Sequence, residues 1–249
     1  MKKNHLFITA AIAVLLLTTL ACQVSFGGIG ARTVRGSGDV VVVERPVSDF
    51  DNIELSGVGQ MFIEVGNVES LRIEAEDNLM EYIETEVRGD TLNIDLKRGT
   101  NLRPTEPIRY YVTVVNLDGI SVSGAGSIHI PDLKSSSFSV HISGAGNVDI
   151  EGLTANELDV EISGVGDLSI DGGKVDQQKV EISGTGNHNT REMESAEADI
   201  RLSGLGGATV WVTDQLSVDI SGAGSVKYIG DASVDSHVSG LGSVKKIGE

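Results

Sequence analysis

A four-residue phrase, Ser-Gly-x-Gly, returns through the C-terminal half of the chain at an almost constant interval. It begins at Ser123, Ser143, Ser163, Ser183, Ser203, Ser221 and Ser239, so the steps are 20, 20, 20, 20, 18 and 18 residues. An eighth copy, Ser56-Gly57-Val58-Gly59, stands apart in the N-terminal half. A period near twenty residues marks stacked supersecondary units, none of which buries its apolar face alone.

Aligned copies share one template, apolar-x-apolar-x-apolar-Ser-Gly-x-Gly-x-apolar-x-apolar. Phe138, Val140 and Ile142 precede one motif and Val148 and Ile150 follow it; Leu158, Val160, Ile162 and Leu168, Ile170 repeat the pattern. A period of two on both sides of the glycines predicts two short strands per coil with one face turned inward. The glycine pairs (Gly124 and Gly126, Gly144 and Gly146, Gly164 and Gly166, Gly184 and Gly186, Gly204 and Gly206, Gly222 and Gly224, Gly240 and Gly242) then mark sharp bends, where a positive φ is the expected reason for glycine. No proline follows Pro131, as a ladder of paired backbone groups requires. Strand pairing spaces coils by about 4.8 Å, so seven copies give a solenoid on the order of 30 Å long. The expected fold is all-β, a parallel β-helix with right-handed winding.

The N-terminal half reads as β-rich but irregular. Strands are expected at Val40 to Val43, Phe50 to Leu55, Met61 to Val65, Leu71 to Ala75, Leu92 to Leu96 and Ile108 to Val115, with a short helical turn within 77–84 and a loop over 98–107. The implied organisation is a leader at 1–21, a tether at 22–34, an N-terminal part at 35–118 and the repeat solenoid at 119–249 of the same domain. With 31 glycines against 5 Phe, 4 Tyr and 1 Trp, the interior has to be thin and aliphatic.

Lys2 and Lys3 precede an apolar run from Leu6 to Leu20, the pattern of an export signal too short to span a membrane. Its end, Thr18-Thr19-Leu20-Ala21-Cys22, resembles a bacterial lipobox. Cys22 is the only cysteine, so no internal disulfide can form, and lipidation at Cys22 accounts for it. The expected location is the cell envelope, facing outside the cytoplasm, with the membrane contacted through the Cys22 lipid alone. Removal of 1–21 leaves 17 basic and 36 acidic residues, a net charge of −19. Such a surface repels nucleic acid and anionic headgroups.

The set Arg35-Gly36-Ser37-Gly38, Phe50-Asp51-Asn52-Ile53, Glu76-Asp77-Asn78-Leu79, Glu86-Val87 and Thr91-Leu92-Asn93-Ile94, followed by the Ser-Gly-x-Gly series, resembles the putative auto-transporter adhesin, head GIN domain family over about residues 35–249. The resemblance implies a β-helical extracytoplasmic domain, often lipid-anchored, with no established biochemical activity.

Other chemistry finds little support. A phosphate-binding glycine loop opens a helix, whereas these glycines lie between strands. The calcium β-roll repeats every nine residues, and Ser163-Gly164-Val165-Gly166-Asp167 has the wrong period and Asp position. The histidines sit singly, so no catalytic residue, cofactor or metal is expected. The outward column carries Asp159, Glu161, Lys179, Glu181, Asp199, Arg201, Asp219 and Asp235. Stacking would bring Glu161 and Glu181 to about 5 Å, and the alternating Lys179 and Arg201 argue for mutual neutralisation. Asp159, Glu161, Glu181 and Asp199 are the candidate ligand face of a polysaccharide-binding or polysaccharide-active β-helix, the alternative to a non-enzymatic adhesive surface that contacts a polysaccharide or a surface protein. A third reading is a structural homo-oligomer joined through solenoid ends. His188-Asn189-Thr190 interrupts the apolar template and is expected to form a local bulge.

Overall fold

The computed structural model describes residues 32–248; the leader and Cys22 lie outside them. The repeat forms a parallel solenoid. Strand Ser137–Ile142 pairs in parallel with Gly119–Val122 below and with Leu153–Ile162 above, and the 20-residue register places Val140 on Val160 and Ile142 on Ile162. Parallel pairing continues through Gly173–Ile182, Thr185–Leu202, Leu205–Ile220 and Ser233–Val238. A second ladder, on the other side of each Ser-Gly bend, runs through Ala125–Ile130, Ala145–Ile150, Leu168–Ile170, Thr185–Leu202, Leu205–Ile220, Ala223–Ile229 and Ser243–Gly248.

Alternation along each strand builds the core. The inward positions stack as columns such as Val122, Ile142, Ile162, Ile182, Leu202 and Ile220, every one buried. Branched aliphatic side chains at one register position repeat the same packing from coil to coil, so a narrow interior closes with very few aromatic rings.

The isolated eighth motif belongs to the same column. Asn52–Leu55 pairs in register under Gly119–Val122, and Val58–Val65 pairs under Ala125–Ile130 with Val58 against Ala125 and Gly59 against Gly126. The residues between these two coils close the N-terminal end. Thr91–Leu96 and Arg109–Val114 lie parallel beneath the first coil. Beyond them Ile83–Arg88, Ser70–Glu76 and Val40–Arg45 run antiparallel and end the ladder. The expected helical turn is one 3₁₀ turn at Met80–Tyr82, with Leu79, Met80 and Tyr82 buried.

Three expectations are corrected. The segment read as tether up to residue 34 already contains strand Arg32–Arg35, and the segment read as the 98–107 loop contains its partner, Thr100–Arg103. Both are four residues long and are held by tertiary pairing and by the buried Leu102. Local composition, with Gly99 and Pro104 at the flanks, conceals them.

The third correction concerns the glycines. Of the fourteen in the seven regular motifs, Gly206 alone has a left-handed φ, 146°. Stacking is what demands glycine. A Cβ at Gly124, Gly144, Gly164, Gly184, Gly204, Gly222 or Gly240 would stand only 1.9–2.2 Å from the carbonyl oxygen of the first motif glycine in the coil below. That carbonyl accepts the N–H of the x residue above it, as Val165 N–H donates to Gly144 O at 2.9 Å. At each bend the Ser and Gly N–H groups converge on one carbonyl, as Ser143 and Gly144 do on Val122 O. The bend therefore satisfies its backbone groups within the stack.

Candidate functional site

The ladder that contains Leu153–Ile162 presents a flat outward face of three side-chain columns. One column runs Ser121, His141, Glu161, Glu181, Arg201, Asp219 and His237; the next runs Ser139, Asp159, Lys179, Asp199, Ser217 and Asp235. The third is Ser137, Glu157, Gln177, Glu197, Gln215 and Ser233. All four candidate carboxylates, Asp159, Glu161, Glu181 and Asp199, are brought to this face, with Glu161 directly below Glu181.

Their neutralisation is only partly the predicted one. Lys179 Nζ lies 3.5 Å from Asp159, and Arg201 lies 2.8 Å from Asp199 on its own strand instead of reaching back to Glu181. Glu161 takes His141 Nδ1 at 3.2 Å. The partners are about half-exposed, so each pair contributes roughly 0–1 kcal/mol. Gln177 donates to Glu197 at 3.1 Å. Between the columns lies a shallow groove of about 490 Å³ bordered by Glu157, Asp159, Gln177, Lys179, Glu197 and Asp199. It offers alternating acceptors and donors with no enclosing walls. Among the described residues, no group of three or more His, Cys, Asp or Glu side chains converges to hold a metal ion.

The His188 segment holds what the sequence pattern only hinted at. The irregularity is present, displaced a few residues: register shifts fall between Thr190 and Glu194 and between Ser195 and Glu197. His188 and Thr190 themselves point inward, where neighbouring coils place Leu168 and Ile170. Gln178 replaces the inward Leu158, and Ser195 replaces Val175. All four polar side chains are buried. Gln178 joins them: its Oε1 lies 3.1 Å from His188 Nε2 and accepts Thr190 Oγ1 at 3.3 Å, while its Nε2 donates to Ser195 Oγ at 2.7 Å. Ser195 Oγ in turn donates to Trp211 O at 2.7 Å.

Burial pushes His188 down to about 4, so its imidazole is neutral at pH 7, with Nδ1 unpaired among protein groups. This polar layer sits where the coil length changes from 20 to 18 residues, and three of its four members, Gln178, His188 and Thr190, stand at apolar positions of the repeat template, the signal that the sequence offers for it.

Outside that face the half-exposed rings of Phe62 and Tyr111 stack at 5.4 Å, with Arg72 over Tyr111 at 3.9 Å. The motif glycines form the floor of an open furrow beside an Asn147, Asp167, Asn187 ladder, in which Asn147 Oδ1 accepts Asp167 N–H and Asp167 Oδ1 accepts Asn187 N–H, each from one coil above. No helix among the described residues is long and apolar enough to cross a membrane.

Comparison with known proteins places this geometry. The family described as Putative auto-transporter adhesin, head GIN domain, matches residues 49–232. A solved structure of a putative adhesin from Bacteroides fragilis is 26% identical and superposes with a TM-score of 0.82, covering 86% of this chain and all of that one. A putative adhesin from Parabacteroides distasonis gives 21% and 0.70, covering 87% and 100%; a putative lipid binding protein from the same organism gives 23% and 0.67 over the same shares. At those identities the likeness is one of fold. Among curated proteins none matches the chain.

Proposed function

The chain belongs to the head GIN domain family of putative auto-transporter adhesins, and from that premise we propose that it is a non-enzymatic surface protein, held in the cell envelope by a lipid on Cys22, whose outward ladder makes adhesive contacts. The observation that carries this reading is the face itself. The three polar columns repeat at the strand spacing of about 4.8 Å and meet no enclosing loop, a surface suited to many weak contacts along an extended polymer or a neighbouring protein. Reaction chemistry needs convergent groups in a water-excluding site, and the carboxylates on this face are dispersed and half-solvated. An acidic groove that alternates with amides and lysine favours hydroxyl-rich or basic partners over anionic ones.

Cells displaying the full chain are expected to bind one class of immobilised polysaccharide or matrix protein saturably. Glu157→Ala with Glu197→Ala should weaken that binding at least several-fold without altering surface display. Hydrolysis products released from a bound polysaccharide would move the reading to an enzyme. Metabolic labelling with a fatty acid, lost in Cys22→Ala, tests the anchor separately.

A further inference from the structure

The last described coil differs from those beneath it. Strand Leu153–Ile162 is paired on both sides, whereas Ser233–Val238 pairs, among the described residues, with Leu205–Ile220 alone. All of its residues are exposed. Val234 and Val238 hold the register positions of the buried Leu216 and Ile220, yet are 37% and 41% exposed. The backbone direction follows from one bond: Ser239 N–H donates back to Ile220 O. Backbone groups alternate in direction along a strand, so Asp235 and His237 also point back into the solenoid. Val234, Ser236 and Val238 therefore send their N–H and C=O to the open edge.

We propose that this edge is a self-pairing surface, through which two copies of the chain join by antiparallel pairing of Ser233–Val238 about a twofold axis at Ser236. In that register Ser236 faces Ser236, Val234 faces Val238 and Asp235 faces His237, on both sides of the axis. The residues with outward backbone groups become the hydrogen-bonded pairs. Asp235 and His237 take the non-hydrogen-bonded positions, where opposed Cα atoms approach to about 4.5 Å and side chains interact most closely. The valines carry the inner apolar face across the join.

Neighbouring registers lack this match. Centring on Asp235 sets carboxylate against carboxylate and Val234 against Ser236; centring on His237 opposes the two imidazoles and puts Val238 against Ser236. A shift that pairs odd with even residues turns the valines to the wrong face. Charge also favours this end. The exported chain repels itself through its many acids, but residues 221–249 carry as many bases as acids, Lys227, Lys245 and Lys246 against Asp231, Asp235 and Glu249. A twofold contact closes as a dimer and leaves no further edge of this kind. It does not depend on what the outward face binds.

Cys22 is the chain's one cysteine, so the full chain carrying Cys22→Ser isolates any new thiol. Ser236→Cys in that background is expected to give a disulfide-linked dimer under mild oxidation, and Ser217→Cys, on the outward face of the previous coil, to stay uncrosslinked. Sedimentation of the full chain in detergent should show a dimer. His237→Asp, which opposes aspartates twice, should weaken it about tenfold or more. Asp235→His together with His237→Asp only exchanges the partners and should restore it. Equal cross-linking of the two thiols, polymers in place of dimers (the mark of head-to-tail contact with the Val40–Arg45 edge), or failure of the exchange to restore association would each overturn the proposal.

Discussion

The two ends of the solenoid solve the same problem differently. At the N-terminal end the ladder turns antiparallel: Ser70–Glu76 and Val40–Arg45 cross beneath the first coil, and Glu44, Arg45 and Pro46 blunt the outermost strand. A buried carboxylate ties that cap together. Glu76 accepts Gly38 N–H at 2.7 Å, Thr105 N–H at 3.0 Å and the Thr105 hydroxyl. At the C-terminal end the coils keep parallel pairing to the last strands, and Val234 and Val238 reach the surface at inward positions. A solenoid is close to one-dimensional, each coil contacting only its neighbours. The comparison teaches that identical sequence positions should carry different energies according to what lies above and below.

The largest test uses the glycine column. Gly144→Ala and Gly240→Ala place a Cβ at the same 2.0 Å from a carbonyl oxygen below. Gly144 is clamped, because Val165 of the next coil bonds to its carbonyl. Its substitution has no slack to absorb and should cost upwards of about 4 kcal/mol in denaturant unfolding, or prevent folding. Gly240 can lift away with the final coil, so Gly240→Ala should leave the global transition within about 1 kcal/mol and raise hydrogen exchange in Ser233–Gly248 alone. Equal losses from the two variants would break the comparison.

A second pair compares aliphatic residues in one column. Leu216→Ala removes a fully buried side chain and should cost about 3–4 kcal/mol. Val234→Ala, one coil above and partly solvated, should cost less than about 1 kcal/mol. A large loss at Val234 in the monomer would mean that the last coil is as tightly held as the interior.

The polar layer sharpens the picture from the middle of the column. His188 is held down to about 4, below the ordinary histidine value of about 6.5. The unfolded chain therefore binds more protons between those values, and stability falls as pH drops from about 6.5 to about 4. The expected loss is about 3 kcal/mol relative to neutral pH. His188→Leu, which restores the residue type of Leu168, should flatten that part of the pH profile; an unchanged slope would show that the imidazole is not enclosed. Buried polar groups that are mutually bonded specify a register more than they add stability, and this layer lies where 20-residue coils give way to 18-residue ones.

Much of this was legible because repetition multiplies a weak signal. One Ser-Gly-x-Gly says little; seven at a spacing of 18 to 20 residues require a stack, and alternation about them assigns Val140, Val160 and Val180 inward and Asp159, Lys179 and Asp199 outward. What stayed hidden was non-repetitive. Arg32–Arg35 and Thr100–Arg103 become strands only through each other. The glycine rule was read from local conformation, whereas the constraint is a neighbour twenty residues away. Arg201 turns to Asp199, two residues along its own strand, instead of to Glu181 in the coil below, a choice of rotamer that no pattern specifies. The cap is hardest of all, since Glu76 has no counterpart elsewhere in the chain.

That carboxylate supplies the smallest effect and the clearest contrast with the open end. Burial pushes the Glu76 carboxyl up, but hydrogen bonds from the Thr105 side chain and from the Thr105, Gly38 and Glu106 backbone together outweigh it and hold the group below its ordinary value. A carboxyl lowered in the fold contributes stability above its unfolded value and loses it as pH falls through the acidic range. Glu76→Gln keeps the shape, weakens charge-assisted bonds to neutral ones and turns one acceptor into a donor facing other donors, for an expected cost of about 2 kcal/mol at pH 7. The wild-type advantage should shrink toward zero as pH falls through the acidic range and Glu76 itself protonates. Hydrogen exchange should rise first in Val40–Arg45 and Thr100–Arg103, while Ser233–Val238 stays as it was. If the loss instead spread evenly over the coils, the cap would be setting the stability of the whole column, and the two ends would differ in their consequences as well as in their construction.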